Sequence, residues 1–510
     1  MPRAYGTSGA FKIVNQTYSL ARFVILRLLG LIYFIAFLVS INQGIPLLGG
    51  NGLLPAQPFL DRVGQQLGSP WQGFLRLPTV FWFKASDGFL LSIAWSGALL
   101  SLIVLLGFAN APMLAILWFL YLSIRHIGQL WYGFGWESQL CETGFLAIFL
   151  CPLWDPRPFP KPPPPVVLLW LFRWLIFRIM LGAGLIKLRG DPCWRDLTCL
   201  FYHYETQPIP NPFSSLLHFL PPWFHKLGAL YNYLAELIAP FFLWAPRTLR
   251  HIAGAVLAGL QFFLILSGNL SFLNWLTLVP IVACFDDRFL SHFVPRAWWQ
   301  RFLENHRDTT PARSQQITAA VLAAGIGALS IAPVTNLISS QQVMNTSFEP
   351  FELVNSYGAF GTVGQVRYEI VFEGTSAETP TENAEWRPYE FKCKPGDPNR
   401  RPCFLSPYHL RLDWLIWFAA MESPAQAPWT IHFVWKLLHN DPGTLSLLAN
   451  NPFPDAPPRF LRAQLYRYQF APLRESAWWS RTLIGPWLPA LSSEDPRLRR
   501  FLETYRWLSR

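Results

Sequence analysis

The chain has 510 residues, 14% of them charged, 16% aromatic and 52% hydrophobic, with a formal net charge of +11. Soluble proteins carry about 25% charged residues, so an ordinary cytosolic enzyme is excluded, as are a disordered tail protein and a collagen. Of the 41 Lys+Arg and 30 Asp+Glu, 18 and 17 fall in residues 335–510; the first two-thirds is sparsely charged, apolar and net basic. This pattern describes a polytopic membrane protein with a water-facing C-terminal domain.

A bilayer core of about 30 Å takes roughly 20 mostly apolar residues per helix. In chain order, such windows lie at 20–41, 88–108, 111–127, 139–154, 166–187, 228–244, 249–267, 270–285 and 317–334. They read as nine spans, with seven or eight as the alternative counts and 139–154 short enough to be re-entrant. The first window starts near Arg22 and Arg27 and has no small-residue cleavage site, so it reads as an anchor. Placing Arg3 and Lys12 in the cytoplasm puts Arg157, Lys161, Arg247 and Arg250 on that side, with Arg288, Arg296, Arg301, Arg307 and Arg313. Lys187, Arg189 and Arg195 run against the rule, beside Asp191 and Asp196. The chain then divides into a multi-span region, 1–334, with outside loops 42–87 and 188–227, and an outward α+β domain, 335–510. The proline-rich stretch 155–165 is a stiff connector.

Cys141, Cys151 and Cys284 lie in apolar spans and read as buried thiols. Cys193 with Cys199, and Cys393 with Cys403, are short-range pairs on the oxidising side, which predicts two disulfides. No CxxC or His-x-x-x-His accompanies them, which disfavours zinc and a thioredoxin-like centre. In the C-terminal region, 365–374, 389–393 and 462–470 alternate apolar and polar residues and predict half-buried strands. Segments 410–421 and 429–439 read as amphipathic helices, and 395–402 (PGDPNRRP) as a turn clamped by the Cys393–Cys403 bond.

No nucleophile elbow, HExxH, P-loop or dinucleotide fingerprint is present, so neither a metal nor a cofactor is expected. Gly358, Gly361 and Gly364 suggest a tight turn before a strand. His409 and Asp413 are four apart, a spacing that suits capping or salt bridging better than a metal. Ionisable groups at membrane depth carry more weight. Glu137 and Glu142 stand at a span entrance after Arg125 and His126; Lys187, Arg189 and Asp191 close the span 166–187. These predict one interfacial polar cluster, capped from outside by His203, Tyr204 and Glu205. Ion pairs that fix helix packing are the simpler reading. The chemical alternative makes Lys187 a base beside Glu137 or Glu142.

Several stretches are long and idiosyncratic: 136–155 (WESQLCETGFLAIFLCPLWD), 172–210 (FRWLIFRIMLGAGLIKLRGDPCWRDLTCLFYHYETQPIP), 267–287 (SGNLSFLNWLTLVPIVACFDD) and 390–417 (EFKCKPGDPNRRPCFLSPYHLRLDWLIW). With the shorter 342–346 (QVMNT), 354–360 (VNSYGAF) and 450–453 (NNPF), they resemble the lipase maturation factor family, in order from about residue 21 to about residue 489. The resemblance implies a multi-pass protein of the endoplasmic reticulum membrane, chaperone-like, whose lumenal C-terminal domain engages client lipases. In a bacterial host the same architecture would sit in the plasma membrane with its domain outward. Its implied partners are lipoprotein lipase-like dimers and the bilayer, with no nucleic acid. The family is usually drawn with fewer than nine spans. The membrane portion is also distantly similar to vitamin K-dependent γ-carboxylase, where a lysine in a Gly-x-x-Lys-Leu context is a base; 184–188 (GLIKL) matches that pattern. This keeps alive an intramembrane enzyme modifying a lipid, quinone or client side chain. A transporter would show inverted repeats, and none is visible. Within the outward domain, Arg400, Arg401, Tyr408, Trp414 and Trp417 are the candidates for client contact. Asn15 and Asn345 each begin a sequon.

Overall fold

The computed structural model describes residues 17–305 and 310–507; Arg3, Lys12, Asn15 and Arg307 lie outside them. Among the described residues the chain is mostly helical, with one small antiparallel sheet near its C-terminal end. Four helices are long and apolar enough to cross a membrane: Ser19–Leu48, Asp87–Leu106, Val166–Arg189 and Arg247–Ser267. A fifth candidate is the pair Arg313–Leu329 and Ile331–Ile338, bent by 41°, with Pro333 just past the break.

The remaining windows of the nine-span reading also form helix, in shorter or broken pieces. Ala111–Ile127 has 17 residues and Gly135–Leu150 has 16. Window 228–244 becomes Pro222–Tyr233, a π-helical turn Leu234–Ile238 and a 3-10 turn Ala239–Phe242. The interruption coincides with Pro240, which has no N–H to continue an α-helical ladder. Window 270–285 shortens to Leu273–Ile281 with a 3-10 extension to Cys284, and contains Pro280.

The first long helix starts on a cap supplied from far along the chain. Asp287 accepts hydrogen bonds from the amides of Ser19 (2.8 Å), Leu20 (2.8 Å) and Ala21 (3.3 Å). Three of the N–H groups that every helix start leaves orphaned are thus satisfied by an anion. Close approach of Asp87–Leu106 to this helix depends on small residues. A Cβ on Gly97 would sit 2.2 Å from the Phe37 ring, and one on Gly30 would sit 2.8 Å from the Leu105 amide nitrogen. Gly135–Leu150 is buried on nearly all sides, including Glu137, Gln139 and Glu142, which marks it as the central helix.

The sheet order is β2 (Arg387–Pro388), β1 (Arg367–Thr375), β3 (Phe460–Phe470) and β4 (Trp479–Leu491), with Ile370 opposite Leu465 and Tyr466 opposite Leu483. Helices Arg411–Ala419 and Trp429–Leu437 stand near the predicted places. Three details differ from the sequence reading. The strand expected at 389–393 is a two-residue pairing at 387–388, followed by a single Phe391–Leu448 bridge. β4, with Gly485, Pro486 and Pro489, gave no strand signal, yet prolines are admissible there because β4 is an edge strand. Finally, β1 is buried on both faces. Its polar residues Arg367, Glu369 and Glu373 are all buried; segment 205–208 covers Arg367, and Glu373 pairs with Arg462 at 3.0 Å. Arg367 donates to the carbonyls of Glu205 (2.8 Å), Gln207 and Pro208 (2.9 Å), and its Nε donates to Glu369 (2.8 Å). Lys394 closes the group at 2.6 Å from Glu369.

One contiguous hydrophobic core contains Leu29, Tyr121 and Leu140 of the helices together with Ile370, Phe372 and Phe433 of the C-terminal region. The predicted disulfides Cys193–Cys199 and Cys393–Cys403 are formed, with Cα separations of 4.8 and 5.7 Å. Cys141, Cys151 and Cys284 are buried free thiols.

Candidate functional site

The acidic groups expected to share one cluster are distributed over separate buried ion pairs. Glu137 accepts from Arg411 Nη1 (2.9 Å), from the Trp136 indole (2.9 Å) and from the Tyr121 hydroxyl. Arg411 begins the helix 411–419, so this pair ties the C-terminal region to the central helix. Glu142, one helical turn and more beyond, takes Arg178, the Asn355 amide (3.0 Å), the Asn355 side chain (3.2 Å) and the Tyr357 hydroxyl (2.8 Å). Lys187 pairs with neither; its Nζ donates to Glu236 and lies 5.2 Å from the Trp194 ring centre. Arg189 caps the Leu337 carbonyl (2.8 Å) and binds Gln342 (2.7 Å). Asp191 caps its own short helix through the Cys193 amide (3.0 Å). Arg125 lies 3.5 Å from Glu352, and His126 contacts the Pro78 carbonyl (3.1 Å).

Sequence reasoning missed the partners Arg178, Glu236 and Arg411. The signal for the first two was in plain sight: each is a charge inside a predicted span, and a charge at membrane depth needs a partner. Arg411 gave no such signal, since it lies in no predicted span.

Beside the Lys187–Glu236 pair lies a cavity of about 860 Å³. Its walls come from helix 166–189, segment 222–236, helix 247–267 and the turn 357–362, with further side chains from 134–139, 194–208, 270–277 and helix 411–419. The walls are largely apolar. Their charged residues are Lys187 and Glu236, and His203, Tyr204, Asn232, Gln139, Gln261 and Asn274 add polar atoms. Glu236 sits on the π-helical turn, a distortion that recurs at functional sites. Gln261 and Asn274 satisfy each other at 2.8 Å, and Gln139 donates to Thr277 at 3.1 Å. Trp223 and Leu227 on the rim are 61% and 55% exposed, so the cavity opens outward along helix 222–233.

The other candidates have defined places. His409 precedes helix 411–419, and its ring meets Trp136 and Trp414 at 5.3 and 5.5 Å. Asp413 accepts the amides of Cys393 (2.7 Å) and Lys394 (3.0 Å), a structural anchor for the disulfide turn. Among the described residues no group of three or more His, Cys, Asp or Glu is placed to hold a metal. Gly361 packs backbone to backbone with Gly190, where a Cβ would stand 2.3 Å from the Gly361 carbonyl oxygen. His203 stacks edge-on to Phe360 at 4.8 Å, while Glu205 accepts from the Phe470 amide (2.8 Å). Of the client-contact candidates, Arg401 is exposed. Arg400 is half-buried and donates to the carbonyls of Phe391 (2.6 Å) and Lys394. Tyr408 accepts from Asn42 (3.1 Å), Trp414 is buried, and Trp417 donates to the Thr206 carbonyl (3.0 Å).

Two of the buried histidines outside the long helices carry a pH prediction. Burial, with the Lys187 charge second, holds His203 down at about 4. Burial likewise holds His432 at about 4, against the pull of its bond to the Leu53 carbonyl (2.8 Å). In the unfolded chain each titrates near 6.5. Between about pH 6.5 and 4 the unfolded chain therefore binds protons that the folded chain refuses, and each histidine's contribution is lost as pH falls, by up to roughly 3 kcal/mol. A His432→Gln variant should gain on the parent protein in melting temperature as pH drops from 7 to 5; a pH-independent difference contradicts this.

The family profile described as the lipase maturation factor transmembrane domain matches residues 20–292, and that of the lipase maturation factor C-terminal domain matches 353–489. Lipase maturation factor 1 of Bos taurus is 47% identical, covering 96% of this chain and 92% of its own. The Homo sapiens protein of that name is also 47% identical, over 96% and 91%. Lipase maturation factor 2 of Mus musculus is 30% identical over 93% and 83%. No solved structure matches. Two profiles matched in order and near-full-length identity of this size have one meaning: the chain belongs to the lipase maturation factor family.

Proposed function

We propose that the chain is a membrane-anchored maturation factor that assists the folding, assembly and secretion of active lipases, without itself catalysing a reaction. The observation that carries this is the 47% identity to proteins named lipase maturation factor 1 over nearly the whole length. Clients of the dimeric, lipoprotein lipase type fit the family resemblance. The site is the endoplasmic reticulum membrane, with region 1–334 embedded and region 335–510 in the lumen.

A nine-pass topology is supported by which segments meet. At one end, Asp287 caps Ser19 and Arg22 donates to the Pro160 and Pro162 carbonyls (3.0 and 2.9 Å). At the other, Gln43 donates to the His409 carbonyl (2.7 Å), Asn51 to Asp441 (2.7 Å) and Asn269 to the Cys403 carbonyl (2.9 Å). The broken helices then cross by borrowing partners from their neighbours, which is how non-helical backbone is tolerated at membrane depth. Both disulfides fall on the lumenal side of this scheme, as an oxidising compartment requires.

We assign client contact to the face carrying Arg401 and the exposed Phe404, next to the Cys393–Cys403 turn. Glu137 and Glu142 are each satisfied by an arginine of their own, so the pairing with Lys187 that an intramembrane enzyme would use draws no support from the geometry. Breaking the turn tests the reading. Cys393→Ser or Cys403→Ser should remove about 2–3 kcal/mol of loop restraint and lower the output of active lipase from co-expressing cells, at equal membrane levels of the factor. Parental output from both variants would sink the assignment.

A further inference from the structure

The cavity beside Lys187 carries an inference that does not depend on the lipase role. Its size lies toward the upper end of the roughly 300–1,000 Å³ typical of small-molecule sites. Its walls are apolar, and its mouth at Trp223 and Leu227 is built of exposed apolar side chains where the outside loop 188–227 runs into the window 228–244, at the level of the bilayer surface in the nine-pass scheme. An apolar mouth at that level admits a ligand from the bilayer surface, and the apolar walls call for a hydrocarbon part.

The polar atoms on the walls specify the head. Among the described residues, none gives a hydrogen-bond partner to Glu236 Oε2, Asn232 Oδ1, Gln139 Oε1 or the Tyr204 hydroxyl. All four side chains line the cavity, and the residues are 4%, 7%, 0% and 1% exposed. Unsatisfied polar atoms at such depth are costly and call for a partner. Three of the four are acceptors, so the partner must donate hydrogen bonds. Charge narrows the choice further. Lys187 and Glu236 neutralise each other across their own bond. A carboxylate or phosphate head would face the second Glu236 oxygen and two amide oxygens, a repulsive set. A quaternary ammonium head has no N–H or O–H to give.

We propose that this cavity binds a neutral, hydroxyl-bearing lipid drawn from the bilayer, its chain along the apolar walls and its hydroxyl groups on Glu236, Asn232 and Tyr204. Acylglycerols and sterols share this chemistry and differ in the rigidity of the apolar part. The head is thus selected by donor number and zero charge, the tail by the apolar volume.

The test uses the full chain in detergent micelles, a diazirine-bearing monooleoylglycerol as the photoaffinity probe, and peptide mapping of the label. Label is expected on helices 166–189 and 247–267 and on segment 222–236. Excess unlabelled monooleoylglycerol or cholesterol should displace it, and whichever competes at lower concentration identifies the source. Oleate, with the same chain and an anionic head, should compete at least tenfold less well. Ala183→Phe or Leu264→Trp, which fill the volume from two different walls, should remove the label; either one that retains the parental melting temperature suffices. Tyr204→Phe, which withdraws one donor–acceptor group, should weaken binding several-fold. Label scattered over the outer helix surfaces, indifference to the filling variants, or equal competition by oleate would each overturn the proposal. None of these outcomes bears on whether the chain matures lipases.

Discussion

Arg411→Met is expected to destabilise the folded chain by about 3–5 kcal/mol, the range found when one partner of a buried ion pair is removed. Arg411 is fully buried, 3.3 Å from the Tyr132 ring centre, with Nη1 on the Glu137 carboxylate and the Trp131 carbonyl. Without it, Glu137 keeps an indole and a phenol as neighbours but no positive charge. The deletion cannot be absorbed by solvent, because both side chains are 0% exposed. The same side chain joins the two halves of the molecule across 274 residues, so its loss also frees helix 411–419 from the central helix. Thermal melting of the variant in detergent should begin many degrees below that of the parent. The double variant Glu137→Gln with Arg411→Met should recover much of the loss, since it leaves no buried charge. A single variant that melts with the parent contradicts the assignment.

The second large effect is expected at Glu142. Its carboxylate gathers Arg178, both nitrogens of Asn355 and the Tyr357 hydroxyl, and Arg178 in turn donates to the Asn355 carbonyl at 2.6 Å. Glu142→Gln keeps the shape but leaves Arg178 uncompensated among buried groups, at a cost of about 3 kcal/mol or more. The damage should be local. Segment 352–357 is held to the helices by this carboxylate, by Arg178 and by the Arg125–Glu352 pair, so with the first of these weakened hydrogen exchange should quicken there before it does in β1 or β3. Unchanged protection across 352–357 would show that other contacts hold the segment.

Those two pairs also explain what the sequence could and could not tell. Strands β1 and β3 announce themselves by alternation, and the cysteine pairs by short spacing; both are local signals. β4 hid behind Gly485, Pro486 and Pro489, which count against a strand everywhere except at an edge. The long helices are legible because hydrocarbon demands uninterrupted apolar length. The window 228–244 looked like one of them, and only its Pro240 hinted at the π and 3-10 turns that turn Glu236 inward. Glu137, Glu142 and Lys187 were legible as individuals, but their partners were not. Lys187 finds Glu236 across 49 residues and Glu142 finds Arg178 across 36. Pairing over such distances is set by how the helices pack, and no spacing rule reports it. The cavity has no sequence signature at all, since it is a volume left between many segments far apart in the chain.

If this chain raises the yield of active lipase, cells deprived of their own factor should show it. The quantity to measure is the activity of a secreted dimeric lipase, per mass of lipase protein, with and without this chain co-expressed. Specific activity should rise several-fold with the chain present, beyond any change in the amount secreted. Specific activity that stays at the level of cells without the chain, for every dimeric lipase tried, would contradict it.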